Sequence, residues 1–219
     1  MRRFLTKIKI VKRHQTLFLL LALLCVVGIG SWMLRPWEAL EKKWGAKQQQ
    51  EVVIDRYDRV LDEYVSLNSY TALGRMNTQY PMETKLLIED VLKLGPVNDP
   101  NVEQRLRHYY LDSTVQVLLD EVHRQYGDMS DIEADFNRAF EELKQKDPDF
   151  RTPHVYTQVS CLNQSIVVGD TLIGISLDKY LGADFPLYAD FYTAEQRAQM
   201  NRESIVHDAI NAYMQFLGN

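Results

Sequence analysis

The run Ile205-Val-His-Asp-Ala-Ile-Asn211 sets His207 and Asn211 four residues apart, with Asp208 between them. On a helix, positions i and i+4 share a face. In the pattern H-E-x-x-H, two imidazoles at that spacing grip zinc, and the intervening glutamate activates the bound water. Here a neutral amide takes the second imidazole's place, and its carbonyl competes badly for zinc. Asp208 stands where the glutamate would be and is one methylene shorter. Eight residues follow Asn211 and none offers a third ligand. The helix therefore reads as an amphipathic one with apolar face Ile205, Ala209, Ile210, Tyr213 and Phe216. No catalytic residue and no cofactor is expected.

A weaker metal set combines His154 with His207 and either Asp178 or Asp208, if the strands between bring them together. The other histidines give no pair: His14 lies in a basic flank, and His108 and His123 are fifteen apart. Cys161 has no recognisable base beside it, so no nucleophile is expected. Cys25 falls in a hydrophobic segment, so the two cysteines are not expected to pair, and no CxxC pattern exists. Tyr156, Tyr180, Tyr188, Tyr192 and Tyr213 either line a groove or pack in the core with their hydroxyls outward.

These residues need elements to hold them. Val53, Tyr57, Val60, Leu61, Tyr64 and Val65 recur at helical spacing, and Gly74 to Pro81 breaks the pattern. A second helix is expected over 83–94. A third starts at Asp99-Pro100, carries an apolar stripe from Val102 to Val122, and closes at Gly127. Ser130-Asp-Ile-Glu133 matches a capping box that opens a fourth helix, ending at Asp147-Pro148. Residues 154–160, 165–168 and 171–177 are β-rich, with a turn at Gly169-Asp170. They predict a small antiparallel β-meander. Thr193-Ala-Glu-Gln196 opens a short helix, and Glu203 to Leu217 forms the last. The expected class is α+β and mostly α-helical: a transmembrane helix, a four-helix region, the meander and a C-terminal helix.

The N-terminal fifteen residues carry six Lys or Arg and no acid, and Thr16 to Leu34 is a run of 19 residues without charge. As a helix that run spans roughly 28 Å, near the thickness of a bilayer's hydrocarbon core. The basic flank then stays in the cytoplasm and the remainder is translocated. Gly28-Ile29-Gly30 offers a weak cleavage site, and Leu24 before Cys25 suits lipidation poorly, so an uncleaved signal-anchor through Thr16, Leu24 and Leu34 is expected. The implied organisation is a basic flank over 1–15, a span over 16–34, a juxtamembrane linker over 35–51 and a domain over 52–219. Of the chain's 25 basic and 30 acidic residues, 1–51 hold ten and three, which leaves 15 and 27 for the domain, a net of −12. Such acidity repels phosphate backbones and argues against a nucleic-acid partner.

Three stretches carry a resemblance: Pro153 to Cys161, Gly174-Ile-Ser-Leu-Asp178-Lys-Tyr-Leu-Gly182 running on to Tyr188, and Met200 to Ala209. With Ile54-Asp-Arg-Tyr-Asp58 and Tyr80-Pro81, they resemble the gliding-motility lipoprotein B (GldB-like) family of Bacteroidetes over residues 52–217. Leu177-Asp-Lys-Tyr-Leu-Gly182 is the most specific part. The resemblance implies a zincin-like core without intact metal ligands, in a cell-envelope protein linked to surface motility and an associated secretion system. It also implies a lipid anchor and further helices past the last one, so the chain reads as spanning-anchored and C-terminally short. The expected role is a non-catalytic component, membrane-anchored with its domain in the periplasm, whose partners are other envelope proteins. A zincin-like metallopeptidase and a truncated fragment without function are the alternatives.

Overall fold

The computed structural model describes residues 51–218. The anchor residues Thr16, Leu24 and Leu34 lie outside them, as do the whole expected span and its basic flank. Among the described residues no helix is long and apolar enough to cross a membrane.

Six helices precede the sheet among the described residues, where the apolar spacing predicted four. The first, α1 (Tyr57–Leu67), buries Val60, Leu61, Tyr64 and Val65 as its periodicity requires and ends on Asn68 in the left-handed region. Then comes α2 (Tyr70–Thr78), across the predicted break at Gly74. Ser69 caps it by accepting from the Ala72 N–H, and Ala72 and Met76, four apart, are buried. Gly74 faces open space, so its helix-weakening cost of about 1 kcal/mol is tolerated. Next, α3 (Pro81–Lys85) continues through a widened turn over Leu86–Val91, where the Leu92 N–H reaches Leu87 O at 2.8 Å.

The expected single helix from Asp99 to Gly127 is two, α4 (Val102–Tyr110) and α5 (Ser113–Gln125). Asp112 interrupts the stripe by accepting from the Thr114 N–H at 2.8 Å, which starts a new helix. The last of the six is α6 (Ser130–Lys146). Its predicted capping box does not form. Asp128 accepts from the Ser130 N–H instead, at 2.9 Å. Glu133 is thereby free to accept from the Ile54 N–H at 3.0 Å, and Asn137 from the Val52 N–H at 2.8 Å, tying the segment ahead of α1 along α6.

The sheet is small and three-stranded, in a mixed α+β, mostly helical fold, but it is not the predicted antiparallel meander. Strands β1 (His154–Gln158), β2 (Ile166–Gly169) and β3 (Leu172–Ser176) lie in the order β1-β3-β2. The hairpin β2–β3 is antiparallel, as the Gly169-Asp170 turn requires. Its neighbour β1 pairs with β3 in parallel, from His154 opposite Leu172 to Gln158 opposite Ser176. Two features favour this order. Four of the five β3 residues are buried, which suits the centre of a sheet, whereas β2 is mostly half-buried and suits an edge. Gly174 also admits the Tyr156 ring: a Cβ there would stand 2.4 Å from the Tyr156 hydroxyl. On its other side β1 is covered by Asp55, whose N–H reaches Val155 O and whose carbonyl accepts from the Thr157 N–H, both at 2.9 Å.

After β3 come a 3-10 turn (Leu177–Lys179), α7 (Tyr188–Phe191), α8 (Ala194–Arg197) and α9 (Ile205–Leu217). Thr193 and Gln196 form the capping box predicted for α8. Helix α9 packs Ile205, Ala209 and Tyr213 inward against β2, β3 and α6.

Candidate functional site

The parallel register of β1 and β3 ends at Gln158 and Ser176, so two residues further on Ser160 and Asp178 stand side by side. Asp178 is completely buried. One carboxylate oxygen accepts from the Ser160 N–H at 2.7 Å and the other from the Leu162 N–H at 2.5 Å. The Ser160 hydroxyl donates to both at 3.3–3.4 Å. Between those bonds Cys161 and Leu162 sit at φ +54° and +64°. Neither is a residue that favours the left-handed region, and each such residue costs on the order of 1–3 kcal/mol, so the surroundings must hold it. Burial pushes the Asp178 carboxyl above its ordinary range, and the N–H groups of Leu162 and Ser160 oppose that.

In the element Leu177 to Gly182, Lys179 braces the same loop, and the other residues tie the element to its neighbours. Lys179 Nζ donates to the Tyr192 hydroxyl at 2.7 Å and stands 4.4 Å from the centre of that ring. The Tyr192 hydroxyl donates to Leu162 O at 2.9 Å. Tyr188 donates to Asp178 O and accepts from the Leu181 N–H, while Tyr126 donates to Tyr180 O at 2.6 Å. Gly182 has φ +101°, a conformation that favours glycine, and its N–H reaches Met200 O. From the helical side, Tyr110 donates to Val159 O at 2.5 Å.

The braced loop forms one wall of a cleft of about 630 Å³. His108, Tyr109, Asp112, Phe191 and Tyr192 also line it. Cys161 lines it, but burial pushes its thiol well above the usual range, so it is protonated at neutral pH and a poor nucleophile.

The residues singled out by spacing fall into separate places. On α9 the His207 ring is exposed, 2.9 Å from Asn211 Nδ2 and 3.4 Å from an Asp208 oxygen. The other Asp208 oxygen accepts from the Tyr180 hydroxyl at 3.1 Å. His154 instead lies 3.4 Å from both Asp55 and Glu83, and Asp178 belongs to neither cluster. Among the described residues no three His, Cys, Asp or Glu side chains are placed to hold a metal ion. Of the five tyrosines, Tyr156, Tyr180, Tyr188 and Tyr213 are core residues, and Tyr192 edges the cleft.

The partners of His154 escaped the spacing argument, because Asp55 and Glu83 come from distant segments. Hydrogen bonding to Glu83 raises the His154 pKa above the ordinary 6.5, burial opposes this, and the Asp55 charge adds to the rise. Protonated His154 therefore stabilises the fold, fully below pH 6.5, and the contribution is lost as pH rises through the higher folded-state value. Thermal melting of the full chain between about pH 6 and pH 8.5 is expected to show it. The advantage of the parent over His154→Gln should shrink as pH rises, and a constant difference would contradict the assignment.

No curated protein and no solved structure matches the chain. A family model, described as gliding motility protein GldB, matches residues 40–217. The match takes in the whole sheet, the element around Asp178 and all of α9, and it begins upstream of the expected start at 52. By this match across most of its length, the chain belongs to the gliding motility protein GldB family.

Proposed function

We propose that the chain is a non-catalytic component of the cell envelope that acts by binding other envelope proteins of the gliding-motility or associated secretion apparatus. The signal-anchor over 16–34 holds it in the membrane, and the domain that follows faces the periplasm. The observation that carries this reading is the use made of the family's most specific element. Asp178 and Lys179 hold the loop that walls a cleft, Tyr180 and Gly182 tie the element to neighbouring segments, and Asp178 is the most deeply buried carboxylate among the described residues. A carboxylate wholly occupied with backbone N–H groups has no free oxygen to present to a substrate. The position that would carry the second zinc-binding imidazole holds Asn211, whose amide engages the exposed His207 ring. Membership of a gliding-motility family and a net charge of −12 after residue 51 support a protein partner over a nucleic acid.

Affinity purification from solubilised membranes tests this. The full chain and its His207→Ala variant are expected to bring down the same partner in the same yield. Recovery of no reproducible partner, with peptide hydrolysis that His207→Ala abolishes, would overturn the proposal.

A further inference from the structure

A second cleft of about 420 Å³ meets the first at His108, which lines both, and the neighbouring pair makes a candidate groove. Its walls carry large apolar side chains that stay exposed among the described residues. Tyr70 is 78 % exposed, Leu111 53 % and Phe191 58 %, each lining one of the two clefts. Buried rings and aliphatic groups are ordinary; three such exposed groups along one groove mark a surface that docks something.

The charge of the groove indicates what it takes. Glu103 and Asp112 line it against a single Lys or Arg, Arg107, with His108 between the two clefts. Two helices also end there: Asn68 caps the C-terminus of α1, and Leu111 that of α4. Each C-terminus is followed at once by a helix start, at Ser69 and at Asp112, so the backbone dipoles largely offset one another and the carboxylates set the local charge. Around the groove lies a domain of net charge −12. A cation approaching it gains from the carboxylates and the acidic domain around them, and the exposed aromatic faces add cation–π attraction.

We propose that this groove binds a cationic, extended segment of a partner protein, with Lys or Arg side chains directed at Glu103 and Asp112 and apolar side chains between them packed on Tyr70, Leu111 and Phe191. This rests on the protein-binding role proposed above and names the chemistry of the partner. The braced loop supplies the rigid wall, since a segment docking against it meets a backbone already fixed by Asp178.

The test uses the full chain in neutral detergent micelles, with two fluorescein-labelled nonapeptides, one alternating Arg and Leu, the other Glu and Leu. The Arg peptide is expected to bind saturably and more weakly at high salt, and the Glu peptide not to saturate. Glu103→Gln with Asp112→Asn should weaken the Arg peptide by roughly tenfold or more. Asn remains a good helix cap, so α5 is kept. A control pair, Asp135→Asn with Glu142→Gln on α6, removes the same charge elsewhere and should leave binding unchanged. The cationic assignment falls if the Arg peptide does not saturate, if the Glu peptide binds as well, or if both double variants behave alike. If the groove variant meanwhile still recovers the same partner from membranes, the protein-binding role stands and only the groove's specificity is wrong.

Discussion

Replacing Asp178 by alanine lowers the stability of the folded chain by about 3 kcal/mol, because one buried and one half-buried backbone N–H lose their acceptor and an unpaired buried group costs about 1–3 kcal/mol. The bonds concerned are those from Ser160 and Leu162, at 2.7 and 2.5 Å. For a chain of this size the melting temperature should fall by about 10 °C. Asp178→Asn keeps the shape but has one acceptor oxygen for two donors, and its amino group opposes the other N–H, so a loss of about 2 kcal/mol is expected. A second readout is local. Cys161 lies between the two clamped residues and lines the cleft. In a Cys25→Ser background, a thiol reagent should modify Cys161 faster in Asp178→Ala than in the parent at temperatures where both remain folded. Equal labelling rates and an unchanged melting temperature would show that the loop holds its left-handed backbone without the carboxylate.

Asp58→Ala is the second large effect. Arg56 grips Asp58 with a two-pronged contact at 2.8 and 2.7 Å and reaches Tyr126 O at 2.7 Å with its other nitrogen. The Thr157 hydroxyl also donates to Asp58, so one carboxylate joins the segment before α1, the end of α5 and β1. Asp58 is 5 % exposed as a side chain and Arg56 18 %. Removing one partner of such a pair leaves the other charge desolvated and unpaired, at a cost of about 3 kcal/mol. Replacing both members by apolar residues removes that penalty. Arg56→Met with Asp58→Leu is therefore expected to be more stable in urea denaturation than Asp58→Ala alone. A double variant no more stable than the single one would mean that the linkage to Tyr126 and Thr157, rather than the unpaired charge, accounts for the loss.

The helices were legible where apolar spacing was regular, as in α1, and where caps follow short-range rules, as at Thr193. They were misread where a polar residue overrode the stripe. Asp112 divides one predicted helix into two, and Ser69 starts a helix through a glycine that suggested a break. Glu133 shows the opposite failure: its spacing from Ser130 fits a capping box, yet its carboxylate is taken by the Ile54 N–H, 79 residues away. The hairpin β2–β3 could be read because its turn is local. The parallel pairing of β1 could not, since it depends on Tyr156 lying over Gly174 and on Asp178 meeting Ser160. Asp178 itself was visible as part of a family element and as a weak metal ligand. Its actual task depends on two left-handed residues sixteen and seventeen positions upstream, whose types, Leu162 and Cys161, give no hint of that conformation.

In the proposed reading the element around Asp178 walls a binding surface and α9 does not carry a metal centre. The most direct measurement is the metal content of the full chain, purified after growth with added zinc and weighed intact by native mass spectrometry, beside His207→Ala. Substoichiometric zinc, equal in the two proteins, is expected. One zinc per chain in the parent, lost in His207→Ala, would contradict that reading.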